Sequence, residues 1–179
     1  DSVSYPPALP RDSFLAKQTY QVDYITAKSG AVEISPVDVN QFINKNELSA
    51  GKIVIDDFYF TDYKDKRLPF NAGIIKPLPV GLLKKMRYLI SIDTVLLNNA
   101  AVEYTETIPL TDKVLFVPVT RMNARLLNLK NYKINRDDSL GIQSTGYLLD
   151  TLWVKLNVKQ SYTDSLEGFR MTLQAKPAD

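Results

Sequence analysis

"LDTLWVKLNVKQ" (149–160) and "GFRMTLQAK" (168–176) decide the fold. In the first, Leu152, Val154, Leu156 and Val158 alternate with Thr151, Trp153, Lys155, Asn157 and Lys159. In the second, Phe169, Met171 and Leu173 alternate with Arg170, Thr172, Gln174 and Lys176. A period of two marks a strand with one face on a core and the other in water. Two such runs in succession predict an antiparallel pair. One wet face per strand is the pattern of an antiparallel β-sandwich, not of the uniformly apolar strands in α/β sheets.

Working back along the chain, "RYLISIDTVLL" (87–97) reads as a long strand and "NNAA" as a tight turn, since Asn tolerates the left-handed backbone of hairpin turns. "VEYTETI" returns, "LTDK" turns again, and "VLFVPV" completes a β-meander. "TRMNARLLNLKN" (120–131) breaks the alternation: Met122, Leu126 and Leu129 lie at helical spacing and predict a short helix capped by Thr120. "YKINRDDSLGIQSTG" reads as a polar loop. Nearer the start, "TYQVDYITA" (19–27) and "AVEIS" predict two strands about a Ser29–Gly30 turn. A second short helix is expected near 36–48, with Ser35 as its cap, Pro36 at its first position, Gly51 as its stop, and Val39, Phe42 and Ile43 as a buried stripe. Pro69, Pro77 and Pro79 exclude a central strand between 68 and 80, and "GLLKKMRY" reads as a solvated lead into the next strand. The expectation is a mainly β chain: an antiparallel β-sandwich with one or two short helices. It forms a single domain over 13–179 behind an extended, proline-rich arm over 1–12.

The bulk numbers restrict the chemistry. The chain has 179 residues, enough for one domain with a sizeable core. Its 22 basic and 20 acidic residues leave a net charge of +2, too balanced to indicate nucleic acid. Cys and His are both absent. Disulfides, thiolate catalysis and a Ser–His–Asp triad are therefore excluded, and the commonest general base is missing. Carboxylates, Lys, Tyr and Ser remain. No glycine-rich phosphate loop occurs, so no cofactor is expected.

"IVIDDFYF" (53–60) raises the first candidate site. Ile53 and Ile55 share a face, whereas Phe58 and Phe60 have the opposite parity. A bulge at Asp56–Asp57 would bring all four to the core side and requires no ligand. The same bulge can aim carboxylates outward, with Asp56, Asp57, Asp62 and Asp65 around Tyr59 and Tyr63. That grouping suits a sugar, whose apolar face stacks on rings while its hydroxyls meet carboxylates. A second candidate, "NRDDSLG" (135–141), offers Asn135, Asp137, Asp138 and Ser139 to a hard cation, but these residues also build Asx turns. A third is the wet face of the final pair, where Trp153, Lys155 and Lys159 oppose Arg170, Thr172 and Lys176. A tryptophan among cations is a platform for a protein, glycan or anionic partner, unless the 120–131 helix covers it. Last, Glu106 sits on the apolar parity of its strand: either an acid of raised pKa, with Asp93 on the neighbouring strand as the candidate facing carboxylate, or a strand-end group paired with lysine.

The opening "DSVSYPPALP" cannot form a helix and favours an extended arm. The chain starts at Asp1, which suits a processed protein or a trimmed one. The start, the proline arm and the Tyr- and Asn-rich strands together resemble extracytoplasmic β-sandwich proteins of bacterial envelopes. That resemblance is compositional and implies a non-enzymatic binding or assembly module, secreted or held by an N-terminal membrane tether. The alternatives are a structural subunit of a larger particle, homo- or hetero-oligomeric, and a carboxylate-dependent glycoside hydrolase.

Overall fold

The computed structural model describes residues 2–37, 39–73, 75–111, 113–164 and 168–178. Among the described residues the chain is mainly β, with 56% strand and 10% helix. In order it forms β1 (Ser4–Tyr5), α1 (Arg11–Leu15), β2 (Asp23–Lys28), β3 (Val32–Val37), α2 (Val39–Lys45), β4 (Glu47–Asp56) and β5 (Tyr59–Asp65). There follow α3 (Pro79–Lys84), β6 (Leu89–Thr107), β7 (Val114–Lys130), β8 (Ser139–Leu148), β9 (Leu152–Ser161) and β10 (Phe169–Pro177). All ten strands belong to one mixed sheet. Seven of the nine strand pairings are antiparallel, and the two parallel ones join β4 and β5 to the same edge of β6.

The topology follows from bulges. β4 and β5 are two halves of one long strand, broken where Asp57 takes a left-handed φ of 50°. β2 and β3 break at the same level, with the Gly30 N–H donating to the Asp56 carbonyl at 2.8 Å. β6 runs through that level unbroken for 19 residues. The Asn98–Asn99 step is therefore a bulge in one strand (Asn99 φ 50°) and not the tight turn expected of "NNAA". β7 is irregular there too, at Arg121 (φ 48°). The bulge expected at Asp56–Asp57 is thus one step in a seam that crosses the sheet. Three of the four apolar residues expected on one side, Ile53, Ile55 and Phe58, line a single groove with Val3 and Tyr5; Phe60 does not line it.

A second coordinated flip explains the misread helix. Residues 120–130 belong to strand β7, not to a helix. Leu126 registers with Val95, which registers with Ile53, and Leu129 registers with Ile92, which registers with Ala50. All six belong to one apolar cluster. The three strands change parity together at Gly51, Asp93 and Asn128, the last with φ 60°. Apolar residues three apart on a flipped strand imitate a helical stripe. Tyr162 fastens this flip: its hydroxyl donates to the Asn128 carbonyl at 2.5 Å and accepts from the Lys130 N–H at 3.0 Å.

Three other expectations change. The 133–147 segment is not all loop, because β8 occupies Ser139–Leu148. Lys84 ends helix α3, whose first position is Pro79, so that segment is not a strand lead; the proline that excludes a strand fits a helix start. The helix after Pro36 begins only at Val39, because Ser35 and Pro36 lie in β3 and Gly51 lies inside β4. Asp38 lies outside the described residues. Phe42 and Ile43 are exposed rather than buried. Residues 2–10 are non-helical as expected and Ser4–Tyr5 pairs with β2, but the arm expected over 1–12 ends at Pro10, because Arg11 and Asp12 begin helix α1.

The core lies on one face. The row Ile34–Ile53–Val95–Leu126–Ile142–Val158–Met171 crosses seven strands in direct register. The next row is Val32–Ile55–Leu97–Ala124–Ser144–Leu156–Leu173. Helix α3 covers one end, where Val80 packs with Leu140 and Tyr162 against Leu129 and Ile142. The Gln160 side-chain carbonyl accepts the Val80 N–H at 3.1 Å and pins that helix. Towards β10 the cover runs out: Phe169, Met171 and Leu173 are 50–61% exposed.

Candidate functional site

The expected β9–β10 pair forms with Trp153 opposite Lys176, Lys155 opposite Gln174, Asn157 opposite Thr172 and Lys159 opposite Arg170. The helix expected to cover this face does not form, because residues 120–130 belong to β7. Trp153 is half-buried, and the Lys176 ammonium lies over its ring at 5.4 Å from the centroid. Arg121 covers Tyr147 in the same way at 3.8 Å. Lys155, Lys159 and Arg170 are exposed, and Arg125 joins them through the row Arg125–Gln143–Asn157–Thr172. None of these four cations has an ion-pair partner among the described residues. Lys159 and Arg170 directly oppose each other, which destabilises an antiparallel pair. Two shallow grooves of about 390 and 330 Å³ lie on this part of the sheet, meeting at Gln143 and Asn157.

The first sequence candidate is not gathered in one place. Asp56 and Asp57 sit in the seam, where the side-chain amides of Asn98 and Asn99 donate to them at 2.8 and 2.7 Å. Tyr59 and Tyr63 share one face of β5: Tyr59 donates to Glu103 at 2.6 Å beneath Lys28, and Tyr63 bonds Thr107 at 2.6 Å beneath Arg11. The Glu103 hydrogen bond, then burial, raises the Tyr59 hydroxyl to about 12. Asp62 has the opposite parity and registers with Ile25 and Tyr104.

Asp62 instead belongs to a charged cluster that sequence spacing did not suggest. Lys64 reaches Asp23 at 3.0 Å, Lys76 also pairs with Asp23, and Lys66 reaches Glu106 at 2.7 Å. Burial pushes Asp23 up, but hydrogen bonds from Lys76 and Lys64 outweigh it and hold the carboxyl below its ordinary range. Glu106 is lowered by Lys66 and by the Tyr104 hydroxyl, which donates to it at 2.6 Å. It is the lysine-paired group, not the acid of raised pKa. Asp62 is the raised one, through burial and the neighbouring Asp23, and its Oδ1 is buried without a hydrogen bond.

Residues 135–138 form a turn, and Ser139 begins β8. The Asp138 carboxylate accepts the Asn135 N–H at 2.6 Å, pairs with Lys130 at 2.5 Å, and is lowered chiefly by that lysine. Among the described residues no three carboxylates are placed to hold a metal ion, and no helix is long and apolar enough to cross a membrane. No protein-family model matches the chain, and no curated protein matches its sequence.

Proposed function

We propose that the chain is a non-enzymatic assembly subunit whose sheet is completed by a neighbour. The carrying observation is unfinished burial. A compact 20.2 kDa protein exposes about 8,800 Å² by size scaling, whereas this chain exposes 11,715 Å². The apolar rows run uncapped to β10, and alternation there is as strict as in a core strand. Soluble monomers blunt such edges, and assembly modules use them. The hydrolase alternative has weaker support. Asp93 and Glu106 lie 13 positions apart along β6, roughly 40 Å at strand rise, far beyond the 5–9.5 Å of a glycosidase pair. Sedimentation equilibrium tests the reading: masses at multiples of 20.2 kDa support it, and a monomer at every concentration up to the millimolar range overturns it.

A second reading is favoured by the cations that have no ion-pair partner among the described residues. Arg125, Lys155, Lys159 and Arg170 form an array suited to an acidic glycan, held by charge because Lys176 and Arg121 already occupy the aromatic faces. Lys159→Gln with Arg170→Gln should then abolish retention on a sulfated polysaccharide column. Unchanged retention removes this reading.

A further inference from the structure

Four edges are candidates for the neighbour, and three are poor. β1 has two residues, and the part of β2 that it leaves unpaired, Asp23–Thr26, is short and holds Asp23. β3 carries Pro36, which has no N–H to donate, and the exposed Glu33. The free part of β7 runs only from Val114 to Pro118 before β8 pairs at Val119. β10 presents Phe169 to Lys176 with no proline before Pro177, and its apolar side, Phe169, Met171, Leu173 and Ala175, carries no charge.

We infer that β10 pairs with the β10 of a second copy of this chain, antiparallel, about a two-fold axis through Thr172. This rests on the assembly reading and specifies its partner. The register follows by elimination. An axis between residues sets apolar positions opposite polar ones and places the two apolar faces on opposite sides of the joined sheet. An axis through Leu173 sets Arg170 opposite Lys176 of the second copy and requires Pro177 in the ladder. An axis through Met171 pairs only positions 168–174. The axis through Thr172 pairs 168–176 and leaves Pro177 outside the ladder. It sets Met171 opposite Leu173, Phe169 opposite Ala175, Arg170 opposite Gln174 and Lys176 opposite Gly168, with no like charges directly opposed. Both apolar rows then continue into the second copy. A stable pair needs on the order of 800 Å² from each partner, well within the excess surface of this chain.

The chain contains no cysteine, so one introduced thiol reports the axis directly. Cα atoms directly opposite in an antiparallel pair are about 4.5–5.5 Å apart, within disulfide range. Thr172→Cys should therefore form a disulfide dimer under mild oxidation. Gln174→Cys should form it at least tenfold more slowly, because its two copies lie about 14 Å apart along the strands. Leu173→Lys, at a position 61% exposed, should abolish the dimer and leave the monomer folded. Equal cross-linking by the two cysteine variants overturns the register. An oligomer that survives Leu173→Lys overturns the inference while the assembly reading stands, and a chain monomeric at all concentrations overturns both.

Discussion

Tyr162→Phe removes one oxygen and almost no volume, and it should be among the most damaging conservative substitutions in the chain. Tyr162 is 2% exposed. Its hydroxyl is the partner of two backbone groups that flank the parity flip in β7, the Asn128 carbonyl and the Lys130 N–H. The phenylalanine keeps the contacts with Val80 and Leu140 but provides nothing for either group. A buried backbone group left unpaired costs about 1–3 kcal/mol. The carbonyl has a second lone pair and falls at the low end, so the expected loss is about 2–4 kcal/mol. That is a large part of the 5–15 kcal/mol typical of a domain and corresponds to about 10 °C in Tm at this size. Urea unfolding followed by the fluorescence of Trp153 measures it, with an unchanged m-value showing that the endpoints are the same. A loss under about 0.5 kcal/mol refutes the claim that this hydroxyl holds the flip.

Further outcomes follow from the same geometry. A Cβ at Gly146 would lie 3.2 Å from the Thr120 carbonyl and 3.2 Å from Val119 Cγ1, so Gly146→Ala should destabilise by about 1–3 kcal/mol in the same assay. Leu149 holds a left-handed φ of 53° and is exposed; Leu149→Asn should stabilise by about 1 kcal/mol, read as a higher urea midpoint. Asp62 is raised by burial and by Asp23, so its ionised form costs stability above the folded pKa and costs nothing below the unfolded value of about 3.9. Asp62→Asn should therefore stabilise at pH 7, with the gain fading as pH falls towards 4; a gain independent of pH contradicts the ionisation argument. For the dimer, cations on the polar faces of the two copies come together at the join, so dissociation constants from sedimentation should fall as salt rises from 50 to 500 mM.

The last hairpin was readable because each of its strands has one bare face and no irregularity between 152 and 160 or between 169 and 176. Residues 120–131 misled for a local reason with a non-local cause: Arg121 and Asn128 adopt left-handed backbone, forced by neighbouring strands that flip at the same levels. Asn98–Asn99 carried a true signal for left-handed backbone, and only the pairing with β4 and β5 decides that it bends a strand rather than reversing it. β8 stayed hidden because Ser144 and Gly146 occupy the apolar rows, leaving little alternation to read. Of the candidate residues, Trp153, Lys155 and Arg170 were accessible from period two alone. The Asp23–Lys76 pair spans 53 positions, beyond the reach of any local spacing argument.

Amide hydrogen exchange across 169–177, followed as a function of protein concentration, tests the assembly account most directly. An edge strand hydrogen-bonds its neighbour β9 on one side only, so the amides facing away exchange rapidly in a monomer. Slow exchange of those outward amides at high concentration, lost on dilution and absent in Leu173→Lys, is the result the account predicts. Rapid exchange at every concentration, with the core amides of β6 and β7 still protected, would contradict it.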